Sequence, residues 1–368
     1  MIARDLDMGG IERDVSKFAR HLHRHGVVPH VASFRGGGRA WNEIALAGVP
    51  VTDLAIASLR SRSALAAANR LKRFVHDCRI DVVHAFDAPA DLFSVPFARA
   101  MRLPVVASNL WLRSMLPRRM RLSLALTDRM ATAVFVNCRA VADELTNEWH
   151  VPRRKIYVCH NGYEPDQFNP RDRRRPRELA DASIIVGTVA VLREEKNLAL
   201  LVDAFADLLV TEPLARLVIV GSGALRVSLV SRAEQLRIER ACMFVEATPT
   251  PADWMRAIDV FVLPSRTEAF SNALLEAMAC GCCPVGSRVG GTPELIEDGV
   301  HGFLFAPGSR QELASVLERL ARDPTRRRCM ADAAAAFARD HLTIDIAAAR
   351  LASIYRTVLD RRPASRGS

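Results

Sequence analysis

A chain of 368 residues, of which 49% are hydrophobic and 25% charged, is long for one hydrophobic core and long enough for two globular domains. No stretch approaches about 18 consecutive apolar residues, which excludes a membrane-spanning helix, and the amino terminus lacks the apolar core of a signal peptide, so we expect a cytoplasmic protein. The net charge of +10 predicts an anionic partner such as nucleic acid, acidic lipid or a phosphorylated substrate.

In the first half of the chain, helical and strand patterns alternate. Apolar residues at helical spacing predict helices, and short apolar runs bounded by turn residues predict strands. The predicted helices cover 10–25, 64–78, 89–101, 119–130 and 140–149, and the predicted strands cover 27–34, 81–86, 104–108, 133–137 and 156–159. Residues 164–180 contain three prolines, several arginines and no periodicity, which predicts a linker.

The same alternation restarts after this segment. Strands are predicted at 184–192, 216–220, 243–246, 259–263, 284–287 and 302–305. Helices are predicted at 198–209, 225–236 and 251–258, a short helix is predicted to begin at Pro293, and further helices are predicted after the last strand. This alternation predicts parallel sheets, so we expect an α/β protein with two facing Rossmann-like domains and a cleft between them. The predicted boundaries are 1–163 for an amino-terminal, acceptor-side domain, 164–180 for the linker, 181–340 for the second domain, and 341–368 for a tail and a helix that packs back on the amino-terminal domain.

Ligand-binding residues are expected in the loops that follow strands, because open parallel sheets bind ligands beyond the carboxyl ends of their strands. Arg193 and Lys196 follow the first strand of the second domain, where their cations can clamp a diphosphate. The alternative is a solvated loop of mixed charge. Gly221 and Gly223 follow the next strand and provide either backbone clearance for a ligand or a plain turn.

The stretch EAFSNALLE, residues 268–276, has an acid at each end of a predicted helix start. Ser271 or Asn272 is a suitable N-cap, so Glu268 lies in the preceding loop and Glu276 about one turn into the helix. The first-turn N–H groups suit a phosphate, Glu276 can accept hydrogen bonds from a ribose diol, and Glu268 can reach a sugar ring. The alternative is an amphipathic helix with two surface acids. The N–H groups concerned are those of Asn272, Ala273 and Leu274.

Three of the eight cysteines, Cys280, Cys282 and Cys283, are clustered. Cys280 and Cys282 have the spacing of a zinc-binding pair, but no second ligand pair with suitable spacing accompanies them. Buried apolar thiols are the preferred interpretation, and no metal site is predicted.

Residues 277–308, AMACGCCPVGSRVGGTPELIEDGVHGFLFAPG, together with the two acids resemble the donor-binding region of retaining family-4 glycosyltransferases of the GT-B fold. The similarity continues in register through MGGIERDVSKFARHLHRHG, DVVHAF, VNCRAVADEL, HNGYEPDQFNP and VGTVAVLREEKN. The chain resembles bacterial-type members that build surface polysaccharides, lipopolysaccharide or glycolipids.

The resemblance implies a role for individual residues in binding a nucleotide sugar. By this resemblance, Arg193 and Lys196 would bind the donor diphosphate, Glu276 the ribose and Glu268 the transferred sugar. The backbone of residues 272–274 would contact the phosphates. Gly9 and Gly10 would let the acceptor-side loop approach the sugar phosphate closely.

Three departures from the family pattern stand out. Ala269 replaces a glycine and adds a methyl group near the donor, and Phe86 replaces the second histidine of the usual H-x-H. His84 remains, either as a catalytic contact or as a buried, hydrogen-bonded core residue on the same strand face as Phe86. Only MIARDLD precedes the glycine loop, which predicts a truncated first strand.

These features predict an enzyme that moves a hexose from a nucleotide diphosphate sugar to a glycan or lipid-linked acceptor with retention of configuration. Front-face attack is favoured, with Arg193, Lys196 and the helix amino terminus neutralising the leaving diphosphate. No paired-aspartate metal motif is present, so no metal or cofactor is expected. The alternative is a non-catalytic nucleotide-sugar-binding protein of the same fold. Nucleic acid is not expected, since aromatic residues make up only 6%.

The basic charge is concentrated between residues 99 and 129, which contain seven arginines and one acid, Asp128. The stretch WLRSMLPRRMRLSLALTDRM interleaves the arginines with apolar residues. Such a surface suits an anionic membrane, which predicts peripheral contact at the inner face of the plasma membrane. The alternative is a buried helix with a solvated arginine face.

Overall fold

The computed structural model describes residues 1–7, 9–58, 62–171 and 173–360, without the side chains of 62–65. The chain divides into two compact units. Met1–Gly162 and the chain from Ile344 onward form the first unit, and Tyr163–Thr343 form the second.

The first unit is built on a parallel sheet. In chain order its described elements are β1 (Ile2–Ala3), α1 (Gly10–His21), β2 (Val31–Ser33), α2 (Arg39–Leu46), β3 (Val51–Asp53), α3 (Arg62–Asp77), β4 (Val83–Ala85), α4 (Ala88–Ala100), β5 (Val105–Asn109), α5 (Arg118–Met130), β6 (Ala133–Val136), α6 (Arg139–Asn147) and β7 (Ile156–Val158). The sheet order is β3-β2-β1-β4-β5-β6-β7. Strands such as β6, AVFV, are apolar throughout because a parallel sheet is covered on both faces.

A short strand occupies the middle of this sheet. Ile2 of β1 pairs with Ala32 on one side and with Ala85 on the other. The Met1 ammonium donates a hydrogen bond to the His30 carbonyl at 2.8 Å, and burial of the amino group lowers its pKa to about 5. The first strand is therefore present and central, with two residues.

The second unit contains another parallel sheet. Its described elements are β8 (Ile185–Val189), α7 (Leu198–Thr211), β9 (Arg216–Val220), α8 (Arg226–Gln235), β10 (Cys242–Val245), α9 (Pro251–Ala257), β11 (Val260–Leu263), α10 (Asn272–Ala279), β12 (Cys283–Ser287), α11 (Thr292–Leu295), β13 (Phe303–Phe305), α12 (Arg310–Arg322) and α13 (Pro324–His341). The sheet order is β10-β9-β8-β11-β12-β13. The predicted α/β class with two parallel sheets is confirmed.

The described residues of the segment 164–180, predicted as a linker, belong to the second unit. Phe168 is buried. The Arg173 guanidinium donates hydrogen bonds to backbone carbonyls of Arg256, Ile258 and Gly281 at 2.8 to 3.0 Å. These residues therefore pack as part of a unit and not as a linker between units, because Phe168 and Arg173 make contacts within it.

The last described helix, α14 (Ile344–Asp360), belongs to the first unit. It packs against α1, and its Tyr355 hydroxyl lies 2.7 Å from Nδ1 of His84. None of the helices in the described part of the chain is long and apolar enough to cross a membrane.

The clustered cysteines lie inside the second unit. Cys280, Cys282 and Cys283 are all fully buried, and the Cys282 thiol donates to the Met255 carbonyl at 3.0 Å. Burial raises the pKa of Cys280 and of Cys283 to about 12. Their burial agrees with the preferred interpretation of core thiols.

Candidate active site

The loops after β8 and β11 meet at one point of the second sheet. These strands are neighbours, yet the chain leaves β8 towards β9 on one side and leaves β11 towards β12 on the other. The two connections therefore diverge at a topological switch point, where open α/β sheets bind their ligands.

Two predicted site residues contact each other at this switch point. Nζ of Lys196, in the 3-10 turn Glu194–Lys196, lies 2.5 Å from Oε2 of Glu268. Their side chains are only 21% and 13% exposed, so the pair is largely shielded from water. The Arg266 N–H donates to the Glu195 carbonyl at 2.8 Å and ties the two loops together.

Arg193 lies at the start of the same turn and keeps its charge accessible. Its side chain is 67% exposed, and its guanidinium is 3.9 Å from the Glu195 carboxylate. In water an exposed ion pair of this length contributes little, so the guanidinium is available to a ligand phosphate. Arg193 and Lys196 thus share one loop, as predicted.

The two glycines after β9 hold this loop in place. Gly221 and Gly223 have φ of +146° and +157°, which L side chains rarely adopt. A Cβ at either position would overlap the backbone of Ala190 or Leu192, and the Leu192 N–H donates to the Ser222 carbonyl at 3.1 Å. Both glycines are therefore required by the turn and by the close approach of the loop after β8, and their clearance for a ligand stays a prediction.

Glu268 is positioned from a second direction by residues to which the sequence analysis assigned no role. The Ser265 hydroxyl lies 3.3 Å from Oε2 of Glu268, and the Ser287 hydroxyl donates to the Ser265 carbonyl at 2.6 Å. Gly290 has φ +48°, and a Cβ there would overlap the Glu268 carbonyl. The only signal in the sequence was the Gly-Gly pair of the family pattern.

The helix that follows Glu268 begins as predicted. Ser271 is the N-cap of α10, and its hydroxyl accepts a hydrogen bond from the Leu274 N–H at 3.3 Å. The expectation that Leu274 offers a free donor is therefore wrong, because the cap uses it. Asn272 and Ala273 are half-buried in the first turn.

Glu276 lies on the inner side of α10. Its side chain is 2% exposed, which is unusual for a carboxylate and contradicts the alternative of two surface acids. Ala269, which replaces the family's glycine, is also buried at 6% exposure, and its carbonyl accepts from the Gly291 N–H at 2.7 Å.

His84 lies in the core of the first unit. Its ring nitrogens are 2.7 Å from the Tyr355 hydroxyl and 2.8 Å from the Ser108 hydroxyl, and its ring centroid is 4.0 Å from that of Phe86, with the two rings tilted by 32°. Burial, aided by the Met1 ammonium, lowers the pKa of His84 well below its usual value. The catalytic role for His84 is wrong, because both nitrogens are used inside the core.

The glycine loop of the first unit leads into α1. Gly9 is the N-cap residue with φ −169°, and a Cβ there would overlap the Glu12 carboxylate, whereas Gly10 has open space. Burial raises the pKa of Glu12, and Asp5, Asp14 and Asp7 raise it further. The contact of this loop with a sugar phosphate stays a prediction, and its surroundings are acidic.

Two family descriptions match nearly the whole chain. Glycosyltransferase Family 4 matches residues 8–167, and Glycosyl transferases group 1 matches residues 170–337. The chain belongs to the family-4 glycosyltransferases. In this family-4 protein the second match contains the switch point with Lys196 and Glu268.

Curated relatives are similar over part of the family-4 chain. It is 29% identical over 225 residues to N-acetyl-alpha-D-glucosaminyl L-malate synthase of Bacillus anthracis, covering 60% of this chain and 58% of the relative. It is 32% identical over 223 residues to D-inositol 3-phosphate glycosyltransferase of Actinosynnema mirum, covering 57% and 54%. The chain thus spans little more than half the length of the curated relatives it matches.

The fold is that of solved GT-B structures. HepE of Anabaena in complex with UDP has a TM-score of 0.83 at 22% identity, covering 97% of this chain and 98% of HepE. The same protein in complex with UDP-glucose has a TM-score of 0.81 at 20% identity, covering 97% and 99%. At this identity the likeness shows the fold alone.

Proposed function

We propose that this family-4 protein is a retaining hexosyltransferase that moves a sugar from a nucleotide diphosphate donor to a glycan or lipid-linked acceptor. The observation that carries the proposal is the contact between Lys196 and Glu268 at the switch point of the second sheet. In this assignment a cation for the phosphate would lie beside a carboxylate for the sugar hydroxyls. The relatives' names support glycosyl transfer, and the UDP-glucose bound to HepE supports a nucleotide sugar as donor.

The donor diphosphate would lie between the loop of Arg193 and Lys196 and the amino terminus of α10. Arg193 offers an exposed, forked guanidinium, and Lys196 a compact ammonium already oriented by Glu268. The positive end of the α10 dipole adds to both. These groups would neutralise the charge that grows on the leaving diphosphate, which stabilises the transition state.

The two carboxylates would divide the recognition of the donor. Glu276 is buried and fixed on α10, where its oxygens can accept hydrogen bonds from the ribose hydroxyls. Glu268 is held by Lys196 and Ser265 and would accept from hydroxyls of the transferred hexose. Charge-assisted hydrogen bonds of this kind are about twice as strong as neutral ones.

The reaction would proceed on one face of the sugar. The bond from the anomeric carbon to the diphosphate oxygen breaks, and the acceptor oxygen bonds to the same face of that carbon. The acceptor proton passes to the departing diphosphate, so nucleoside diphosphate and glycoside are the products. The residues assigned here supply charge and position only, so we propose no cofactor or metal. The place of action would be the cytoplasm or the inner face of the plasma membrane.

A second candidate function is nucleotide-sugar binding without catalysis. It is favoured by one observation, the burial of His84 and Phe86 in the core, where neither can contact a sugar. A thermal-shift screen of uridine, guanosine and adenosine diphosphate sugars, followed by an assay for nucleoside diphosphate release, separates the two. Release that depends on an acceptor supports transfer, whereas donor binding with no release under any acceptor supports the binding protein. A chain that binds no nucleotide sugar contradicts both.

A further inference from the structure

Helix α5 of the first unit has basic side chains at its amino terminus, which is already the positive end of the helix dipole. Arg118, Arg119 and Arg121 lie in its first two turns, Pro117 provides no side-chain cap, and the first turn contains no acid. Cations near a helix amino terminus are unfavourable because the peptide dipoles already place positive charge there. The arrangement therefore lowers the stability of the helix and raises its affinity for an anion.

The arginines are not neutralised by the rest of the unit. Within the described residues none of Arg118, Arg119 and Arg121 forms an ion pair, and Nε of Arg121 is buried without a hydrogen-bond partner. The single acid of α5, Asp128, is fully buried and bonded to Arg113, which is also fully buried. Arg113 is therefore not part of the basic surface that the sequence pattern predicted, whereas Arg118, Arg119 and Arg121 have no acid partner among the described residues.

Apolar side chains lie along the same side of α5. Leu122 and Leu126 are 57% and 59% exposed, and Met115, just before the helix, is 46% exposed. The steps from Arg118 to Leu122 to Leu126 are one helical turn each, which aligns them in one stripe. The opposite side, with Leu124 and Ala125, packs inward. The exposed leucines are therefore not needed to fill the core.

We propose that this stripe, which we call the α5 outer face, docks on the surface of an anionic phospholipid bilayer. It consists of Met115, Arg118, Arg119, Leu122 and Leu126. The apolar side chains would enter the boundary between headgroups and acyl chains, and the arginines would bind lipid phosphates. This goes beyond the proposed transfer, because it assigns the surface and the residues by which the protein would bind a bilayer.

The exposed leucines favour lipid over nucleic acid as the anionic partner. A phosphate backbone would bind the arginines but would leave Leu122 and Leu126 in water. Two exposed acids, Asp143 on α6 and Glu148 just after it, line a shallow pocket together with Leu112 and Ser114. Their negative charge disfavours contact with an anionic bilayer, so the bilayer contact is assigned to α5 alone.

The test is sedimentation of the full chain with phosphatidylcholine vesicles that contain or lack phosphatidylglycerol, at low and at high salt. We expect binding only to the anionic vesicles, weakened by salt. Changing Arg118 and Arg119 to Glu should lower the partition coefficient roughly 30-fold, since each basic residue near such a surface contributes about 1 kcal/mol. The variant should fold, because acids suit a helix amino terminus.

Matched variants distinguish this face from general charge and general hydrophobicity. Changing the exposed Arg174 and Arg177 to Glu gives the same change in net charge in the second unit, and should leave binding within about twofold of wild type. Leu122→Ser with Leu126→Ser should weaken binding about tenfold. The control variant, Val210→Ser with Val227→Ser, changes two residues that are 82% and 77% exposed in the second unit and should not weaken binding.

Four outcomes would overturn the proposal: no sedimentation of wild type at low salt, equal binding to neutral vesicles, equal losses in the control variants, or displacement from the vesicles by mixed-sequence RNA. Nucleotide-sugar binding is measured on the same preparations by thermal shift. A chain that binds vesicles but no nucleotide sugar would contradict the proposed function and leave the α5 outer face intact.

Discussion

Nζ of Lys196 and Oε2 of Glu268 lie 2.5 Å apart although 72 positions separate them along the chain. The pair joins the loop assigned to phosphate with the loop assigned to sugar. Glu268 orients the ammonium, and Lys196 in turn fixes the position of the carboxylate in a site that is mostly shielded from water. Recognition of the two halves of a donor is therefore expected to be coupled.

Glu268→Gln and Glu276→Gln should differ in kind. Each removes one charge-assisted hydrogen bond, and the loss of such a bond corresponds to a roughly 10- to 150-fold change in a rate or binding constant. Glu268→Gln should mainly lower kcat, because Glu268 would contact the transferred sugar, and Glu276→Gln should mainly raise the Kd for the donor. Steady-state kinetics and calorimetry measure both. Wild-type values in both variants would remove the two residues from the site.

Replacing Arg193 and Lys196 by Ala should weaken binding of the free nucleoside diphosphate by at least about 100-fold, since two charged donors are lost. Folding should hardly change, because both lie in a loop. The matched control is Arg240→Ala with Lys72→Ala, two exposed cations outside the candidate site. Equal affinity of the site variant and the control by calorimetry would contradict the diphosphate clamp.

Gly290→Ala should abolish most activity, because a Cβ there would overlap the Glu268 carbonyl and displace that loop. Gly299→Ala is the matched control: its φ of +79° is also left-handed, but nothing lies within 4 Å of the added atom. Both variants should lose about 1 to 2 kcal/mol of stability from the backbone conformation. Similar activity in the two variants, measured by nucleoside diphosphate release, would show that Gly290 does not position Glu268.

Burial of neutral His84 predicts a pH dependence of stability. Because its pKa in the folded chain lies well below the usual 6.5, the unfolded chain binds more protons below that pH, and stability is lost as the pH falls. The loss should reach about 1.4 kcal/mol per pH unit. In urea unfolding between pH 7.5 and 5.5, His84→Asn should be less stable than wild type at pH 7.5, with a shallower decline.

Other groups titrate in the same range and make the comparison with His84→Asn necessary. The Met1 ammonium, with a pKa of about 5, also destabilises the fold as the pH falls. Asp87, whose pKa is raised by burial to about 6, acts in the opposite sense, since its stabilising protonated form is lost as the pH rises. Equal slopes in wild type and variant would mean that His84 does not contribute.

Periodicity predicted much of the fold, because the strands are short apolar runs and most helices have one apolar stripe. It missed α2 and β3, whose residues follow the glycine run 36–38 and give no clear pattern. Composition also misled at 164–180, since arginines usually mark solvent but Arg173 binds carbonyls. Local sequence contains no information on such distant partners.

The candidate site was predicted residue by residue but not as an arrangement. The N-cap Ser271 followed from local chemistry, whereas the pairing of Lys196 with Glu268 and the burial of Glu276 depend on the sheet order. His84 was ambiguous, since the sequence does not show that α14 places Tyr355 beside it.

The glycine contacts have a consequence for redesign. Gly221 and Gly290 hold the loops of Arg193 and Glu268 through backbone contact, so the loop positions do not depend on the side chains beside them. Arg266 is exposed and Thr267 half-buried, so both can be varied without crowding the core, whereas the buried Ala269 has no room for a larger side chain. On the proposed function, a library at Arg266 and Thr267 separates the choice of sugar from the geometry of the reacting centre, which makes this loop the place to engineer a different donor preference.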